Sequence, residues 1–73
     1  MNDRPILGQH YLAQLRHALA VRLLHAADLN DDGERLIKAG IEALTYECRD
    51  AGVWPEAKHA LMEAERRERE ARR

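Results

Sequence analysis

The sequence predicts an all-α fold: an antiparallel helical hairpin followed by a third helix with a charged C-terminal extension. Three observations predict it. Apolar residues recur at spacings of three and four on both sides of one acidic, turn-forming stretch, Asp28-Leu29-Asn30-Asp31-Asp32-Gly33-Glu34. A second break, Gly52-Val53-Trp54-Pro55, joins a helix stop to a proline suited to a helix start. Alanine is abundant and ten of the twelve basic residues are Arg, a composition that favours helix throughout. The chain therefore divides into a flexible N-terminal arm over 1–9, a helical domain over 10–62 and a charged helical tail over 63–73.

In the arm, Pro5 and Gly8 are poor residues for a helix interior, so the segment reads as extended, with Ile6 and Leu7 free to pack or to bind. The first helix runs over about 10–27. Its apolar positions Leu12, Leu15, Leu19, Leu23 and Ala26 form one buried face. Ala13, Ala20 and Ala27 recur every seven residues beside that face, where small side chains let another helix approach closely. The opposite sector is unusual, because apolar Val21 and Leu24 stand among His10, His17 and His25. Either a third helix folds over this sector or it binds another molecule. No two histidines stand four apart and no His-Glu-x-x-His occurs, so the spacing does not point to a metal.

The acidic stretch ends the first helix through Asn30, the aspartates and a Gly33 able to take positive φ; Asp31 or Asp32 then caps the second helix. Asp28, Asn30, Asp32 and Gly33 match the first half of a calcium loop, but the twelfth position is Ala39 where a bidentate Glu is needed, and the eighth is Arg35. A capping turn is the better reading. Helix two spans about 32–51, with Ile37, Ile41, Leu44 and Cys48 as its seam. Gly40, costly in a helix interior, suggests close approach of the first helix. Cys48 on the seam reads as a small apolar residue with no activating neighbour.

Helix three uses Ala57, Leu61 and Ala64 and then becomes almost wholly charged. Trp54 covers the open end of the hairpin or anchors an interface, a role in which Trp is over-represented. Glu63 with Arg67, Glu65 with Arg69 and Glu68 with Arg72 are favourable i, i+4 pairs on a solvated helix. The competing reading is that the tail arginines grip an acidic partner or nucleic acid, a field weakened by the interleaved glutamates.

The totals narrow the function classes. Seventy-three residues make one domain near the size at which a core supports itself, which leaves homodimerisation or docking on a partner open. Twelve basic against thirteen acidic residues give no global case for nucleic acid or a membrane surface. A single cysteine excludes an internal disulfide, and without a leader or a long apolar run the expectation is a cytoplasmic protein. There is no Ser and only one Thr, so covalent catalysis would fall to Thr45 or Cys48. No phosphate loop, nucleotide fingerprint or metal triad is present, and the expectation is a protein that is not an enzyme and takes no cofactor. A helix-turn-helix would have shorter helices and a basic recognition helix.

The helix lengths and the turn near residue 30 resemble the plasmid copy-number regulator that dimerises into a four-helix bundle and binds paired RNA loops. In length, in its Arg- and Ala-rich composition and in its lack of catalytic motifs, the whole chain also resembles small phage-encoded regulators that bind bacterial RNA polymerase. The second resemblance implies a polymerase subunit as partner, altered initiation or termination, and residence in the bacterial host cytoplasm. Related phage inhibitors of host defence nucleases would look similar. The candidate partner-binding residues are Ile6 and Leu7 of the arm, His17, Val21, Leu24 and His25 of the first helix, Val53 and Trp54 at the second break, and Arg66, Arg67 and Arg69 of the tail.

Overall fold

A computed structural model describes residues 4–71 as three α-helices: α1 (Arg4–Leu24), α2 (Asp31–Asp50) and α3 (Trp54–Ala71), with no strand among the described residues. The chain runs up, down and up, so α1 and α3 lie parallel with α2 antiparallel to both. All three pairs of helices touch, α1 with α2 most extensively. The third helix therefore packs on the hairpin, through its first half above all. The molecule is long and thin, 46 × 24 × 13 Å.

The predicted seams form the core. Leu12, Leu15 and Leu19 of α1 meet Ile41 and Cys48 of α2, and Val53, Ala57 and Ala60 close the third side. Half-buried Tyr11, Ala18, Ile37, Leu44, Trp54, Leu61 and Ala64 pack around them. Leu23 is only half-buried, and Ala26 is exposed in the turn beyond the helix.

The N-terminal arm is corrected for residues 4–9, which form the opening turns of α1; residues 1–3 lie outside the described residues. Pro5 sits in the first turn, where its missing N–H would have no helical partner in any case. Gly8 is buried because the chain passes close to the start of α3: a Cβ at Gly8 would lie 2.7 Å from Val53 Cγ1 and 3.4 Å from the Ala51 carbonyl oxygen. The glycine there permits a close contact and does not end a helix.

The first turn falls where the composition places it, with different residues in the leading roles. α1 stops at Leu24, and the His25 carbonyl accepts from the N–H groups of Asp28 (2.9 Å) and Leu29 (3.1 Å). Asn30, not Asp31 or Asp32, caps α2: its backbone is extended (φ −81°, ψ 176°) and its Oδ1 accepts from the Gly33 N–H at 2.7 Å. Gly33 is itself helical, and positive φ among the described residues belongs to Gly52. Asp31, Asp32 and Glu34 place charge at the positive end of α2. Arg22 reaches Glu34 across the turn at 3.6 Å and ties the two helices.

The second turn is a Schellman motif. Gly52 takes φ 81°, its N–H donates to the Arg49 carbonyl (3.1 Å), and the Val53 N–H donates to the Cys48 carbonyl (2.9 Å). Val53 and Cys48, brought together by that geometry, are both buried.

Candidate partner-binding surface

The Schellman turn sets the first element of the surface by folding Trp54 back against the last turn of α2. The Arg49 guanidinium carbon lies 4.4 Å from the Trp54 ring centroid, a cation–π contact that leaves the half-buried indole packed on the core on one side and capped on the other. Arg49 also lines a shallow groove of about 490 Å³ between α2 and α3, with Ile41, Glu42, Thr45, Tyr46 and Leu61. Thr45 spends its hydroxyl on the Ile41 carbonyl at 2.7 Å, so it is not poised as a nucleophile. Tyr46, 70% exposed, stands over the groove. Trp, Tyr and Arg, the residue types that dominate interface energetics, thus share one region.

The structure separates the remaining sequence candidates. Val53 is withdrawn into the core, 8% exposed, because the turn points it at Gly8; its assignment to a partner surface is corrected. Ile6 (72%), Leu7 and Leu24 (80%) are exposed, as are His17 and His25, and Val21 is half-buried. α3 does not fold over this sector: it packs along Arg16, Ala20 and Leu23, which line an α1–α3 groove of about 470 Å³ with His59, Ala60, Glu63, Ala64 and Arg67. Of the alanine stripe, Ala13 is exposed, and Ala20, also exposed, lines the groove between α1 and α3. His25 approaches Asp28 at 3.8 Å, and His10 bonds Gln14 at 2.6 Å.

Arg66, Arg67 and Arg69 are exposed on α3. Arg66 bonds Glu63 and reaches Glu70 at 3.5 Å, and Arg67 reaches Glu63 at 3.6 Å. The hydrogen bond from Arg66, reinforced by the charges of Arg66 and Arg67, holds the Glu63 carboxyl below its ordinary range. Arg66 and Arg67 are therefore engaged within the helix, sharing Glu63 between them. Arg72, expected to pair with Glu68, lies outside the described residues.

Cys48 is fully buried, and burial together with the Glu47 charge pushes its thiol pKa up, the reverse of an activated nucleophile. Among the described residues no group of three or more His, Cys, Asp or Glu is placed to hold a metal, and no helix is long and apolar enough to cross a membrane.

Tyr46, Arg49 and the exposed Leu36 and Met62 were not picked out by sequence reasoning. Arg49 was legible in principle: a Schellman turn at Gly52 returns the following residues over the last helical turn. Tyr46 and Leu36 carry no such signal, because both lie off the seam: Leu36 is one residue before Ile37, and Tyr46 stands two residues from both Leu44 and Cys48, on the far side of the helix.

Together these features define a small three-helix bundle whose aromatic and apolar side chains are concentrated on parts of its surface. Compared with protein-family models, with curated proteins and with solved structures, the chain finds no match.

Proposed function

We propose that this chain is a non-enzymatic regulator that binds a host macromolecular machine, bacterial RNA polymerase in the first instance, and so alters transcription initiation or termination. The observation that carries the binding role is Arg49, which stacks on Trp54 and lines the α2–α3 groove beside the exposed Tyr46. A rigid aromatic anchor flanked by an exposed tyrosine and a stacked guanidinium supplies large contact area at low entropic cost. The ion pairs that occupy Arg66 and Arg67 favour a protein partner over a nucleic-acid backbone, since arginines already neutralised by neighbouring glutamates release few phosphate counterions. The choice of RNA polymerase among such machines rests on the resemblance in length and composition to phage-encoded regulators.

The test is affinity capture from bacterial lysate with tagged protein after nuclease treatment. Retention of polymerase subunits in stoichiometric amount is expected, and Tyr46→Ala and Arg49→Glu, both at exposed positions, should each reduce it at least tenfold without loss of helicity. Trp54→Ala should do the same but lower stability as well, because the indole packs on the core. Retention of RNA alone, or of a nuclease in place of polymerase, overturns the polymerase reading.

A further inference from the structure

Charge covers most of this molecule, and one broad face has almost none. On α1, Leu7, Tyr11, Gln14, Ala18 and Val21 recur at alternating steps of four and three. On α2, Leu36, Gly40, Ala43 and Glu47 do the same. At 100° per residue the α1 stripe lies roughly 150° from the Arg16 and Ala20 side that meets α3, and the α2 stripe lies about as far from the Thr45 and Arg49 side. Both stripes therefore open on the side of the hairpin away from the third helix. Leu7 is 45% and Leu36 75% exposed, Gln14 and Ala43 are exposed, and Tyr11, Ala18 and Val21 are half-buried. Neither stripe contains a Lys or Arg, and Glu47 is their one carboxylate, in a chain that is 34% charged.

Gly40 sharpens the point. It sits exposed in mid-helix, where Gly costs about 1 kcal/mol relative to Ala, and a Cβ built on it would meet nothing within 4 Å. The sequence reading that Gly40 admits the first helix is thus corrected: the open space is on the outside.

We propose that this face pairs with a second copy of the chain, hairpin against hairpin, around a two-fold axis perpendicular to the helices. The argument is self-complementarity. Such an axis sets each stripe antiparallel to its own copy, so that Tyr11 meets Ala18 of the second copy, Leu7 meets Val21, Gly40 meets Ala43 and Leu36 comes opposite the stem of Glu47: one large side chain against a small one, apolar contacts at the ends, and the bare helix against a methyl group. One axis must serve both helices at once. The Arg22–Glu34 bridge and the Gly8–Ala51 contact bracket their relative height, and across that range the midpoint between Tyr11 and Ala18 and the midpoint between Gly40 and Ala43 are level to within about three residues, ~5 Å along the helices. One axis therefore meets both requirements to within about one helical turn.

Area and charge agree with this occupant. The patch is about 20 Å by 20 Å, roughly 400–500 Å² per copy, so two copies bury on the order of 1,000 Å², the threshold of a specific interface. Association is therefore concentration-dependent. A face without cations offers nothing to nucleic acid or to an acidic protein, whereas its own near-neutral surface is matched to it. The pairing leaves the Tyr46 and Arg49 groove facing outward, and it stands independently of the partner named above.

The experiment is sedimentation equilibrium of the full chain from about 1 µM to 1 mM, with two variants and a cross-link. Wild type should move from 8.4 kDa towards twice that mass. Gly40→Lys, which finds free space in the monomer, should weaken association at least tenfold with helicity retained, whereas Met62→Lys, on α3, should leave it unchanged. Gln14→Cys, near the axis, should form a disulfide with its own copy under mild oxidation while buried Cys48 does not. A single 8.4 kDa species across the whole range overturns the proposal. So does a dimer that survives Gly40→Lys unweakened or fails to cross-link through Gln14→Cys.

Discussion

Two glycines in the interiors of helices behave oppositely because of what stands beside them. Gly8→Ala sets a Cβ 2.7 Å from Val53 Cγ1, and Val53 is buried and stiff at χ1, so the contact is relieved by moving α1 away from the turn. The expected cost is about 1–3 kcal/mol from overpacking, against which alanine's better propensity returns about 1. Gly40→Ala meets nothing and should stabilise the dilute monomer by about 0.5–1 kcal/mol. Urea unfolding at low micromolar concentration checks both signs; a Gly8→Ala chain as stable as Gly40→Ala would remove the close contact from the account. Cys48 gives a pH dependence. Its thiol pKa is raised in the folded chain, so the unfolded chain releases the proton first, and the thiol's contribution is whole below the unfolded pKa of about 8.5 and declines as pH rises past it. Between pH 7 and 10 the urea midpoint should fall more for wild type than for Cys48→Ala, and equal falls would assign the alkaline loss to other groups.

Helix ends are where local chemistry and long-range packing part company. The turn between α1 and α2 was legible from its run of Asp, Asn and Gly, and the stop at Gly52 from the Gly and Pro around Trp54. Which residue caps α2 was not legible, since Asn30, Asp31 and Asp32 are all good caps and the choice depends on where α1 releases the chain. Asn30 Oδ1 holds the Gly33 N–H at 2.7 Å, so Asn30→Ala should cost about 1 kcal/mol, while Asp31→Ala, which loses only a charge in the first turn, should cost a few tenths. Thermal melts of the two variants distinguish them; equal shifts would return the cap to the acidic run as a whole. The start of α1 was illegible for a different reason. Pro5 and Gly8 resemble breakers in sequence, but the first is harmless in an opening turn and the second answers to Val53, 45 residues away. The aromatic cluster was half legible: Trp54 stood out by type, whereas Tyr46 and Arg49 join it only once the α2–α3 pairing sets them along one groove.

For the whole molecule the governing quantity is the ratio of core to surface. Among the described residues eight buried hydrophobic residues, two of them alanines, hold together a body only 13 Å thick along its shortest axis. Chains of this size bury a smaller fraction of their surface than larger domains, and a single core of this kind rarely supplies more than about 3–5 kcal/mol. Covering the near-neutral hairpin face with a second copy adds burial that the single chain lacks. The consequence is thermodynamic as well as structural. A dimer that forms only from folded chains links stability to concentration by mass action, at about 0.7 kcal/mol per chain for each tenfold rise above the dissociation constant. For a domain near 70 residues that corresponds to roughly 3–5 °C in Tm. Scanning calorimetry from about 10 µM to 1 mM should therefore show Tm climbing by some 6–10 °C for the wild-type chain. Gly40→Lys should flatten that climb while matching or exceeding the wild-type Tm at the dilute end, because the lysine favours helix more than the glycine it replaces. A wild-type Tm that stays constant over this hundredfold range would mean that the three helices carry the fold unaided and that the uncovered face contributes nothing to it.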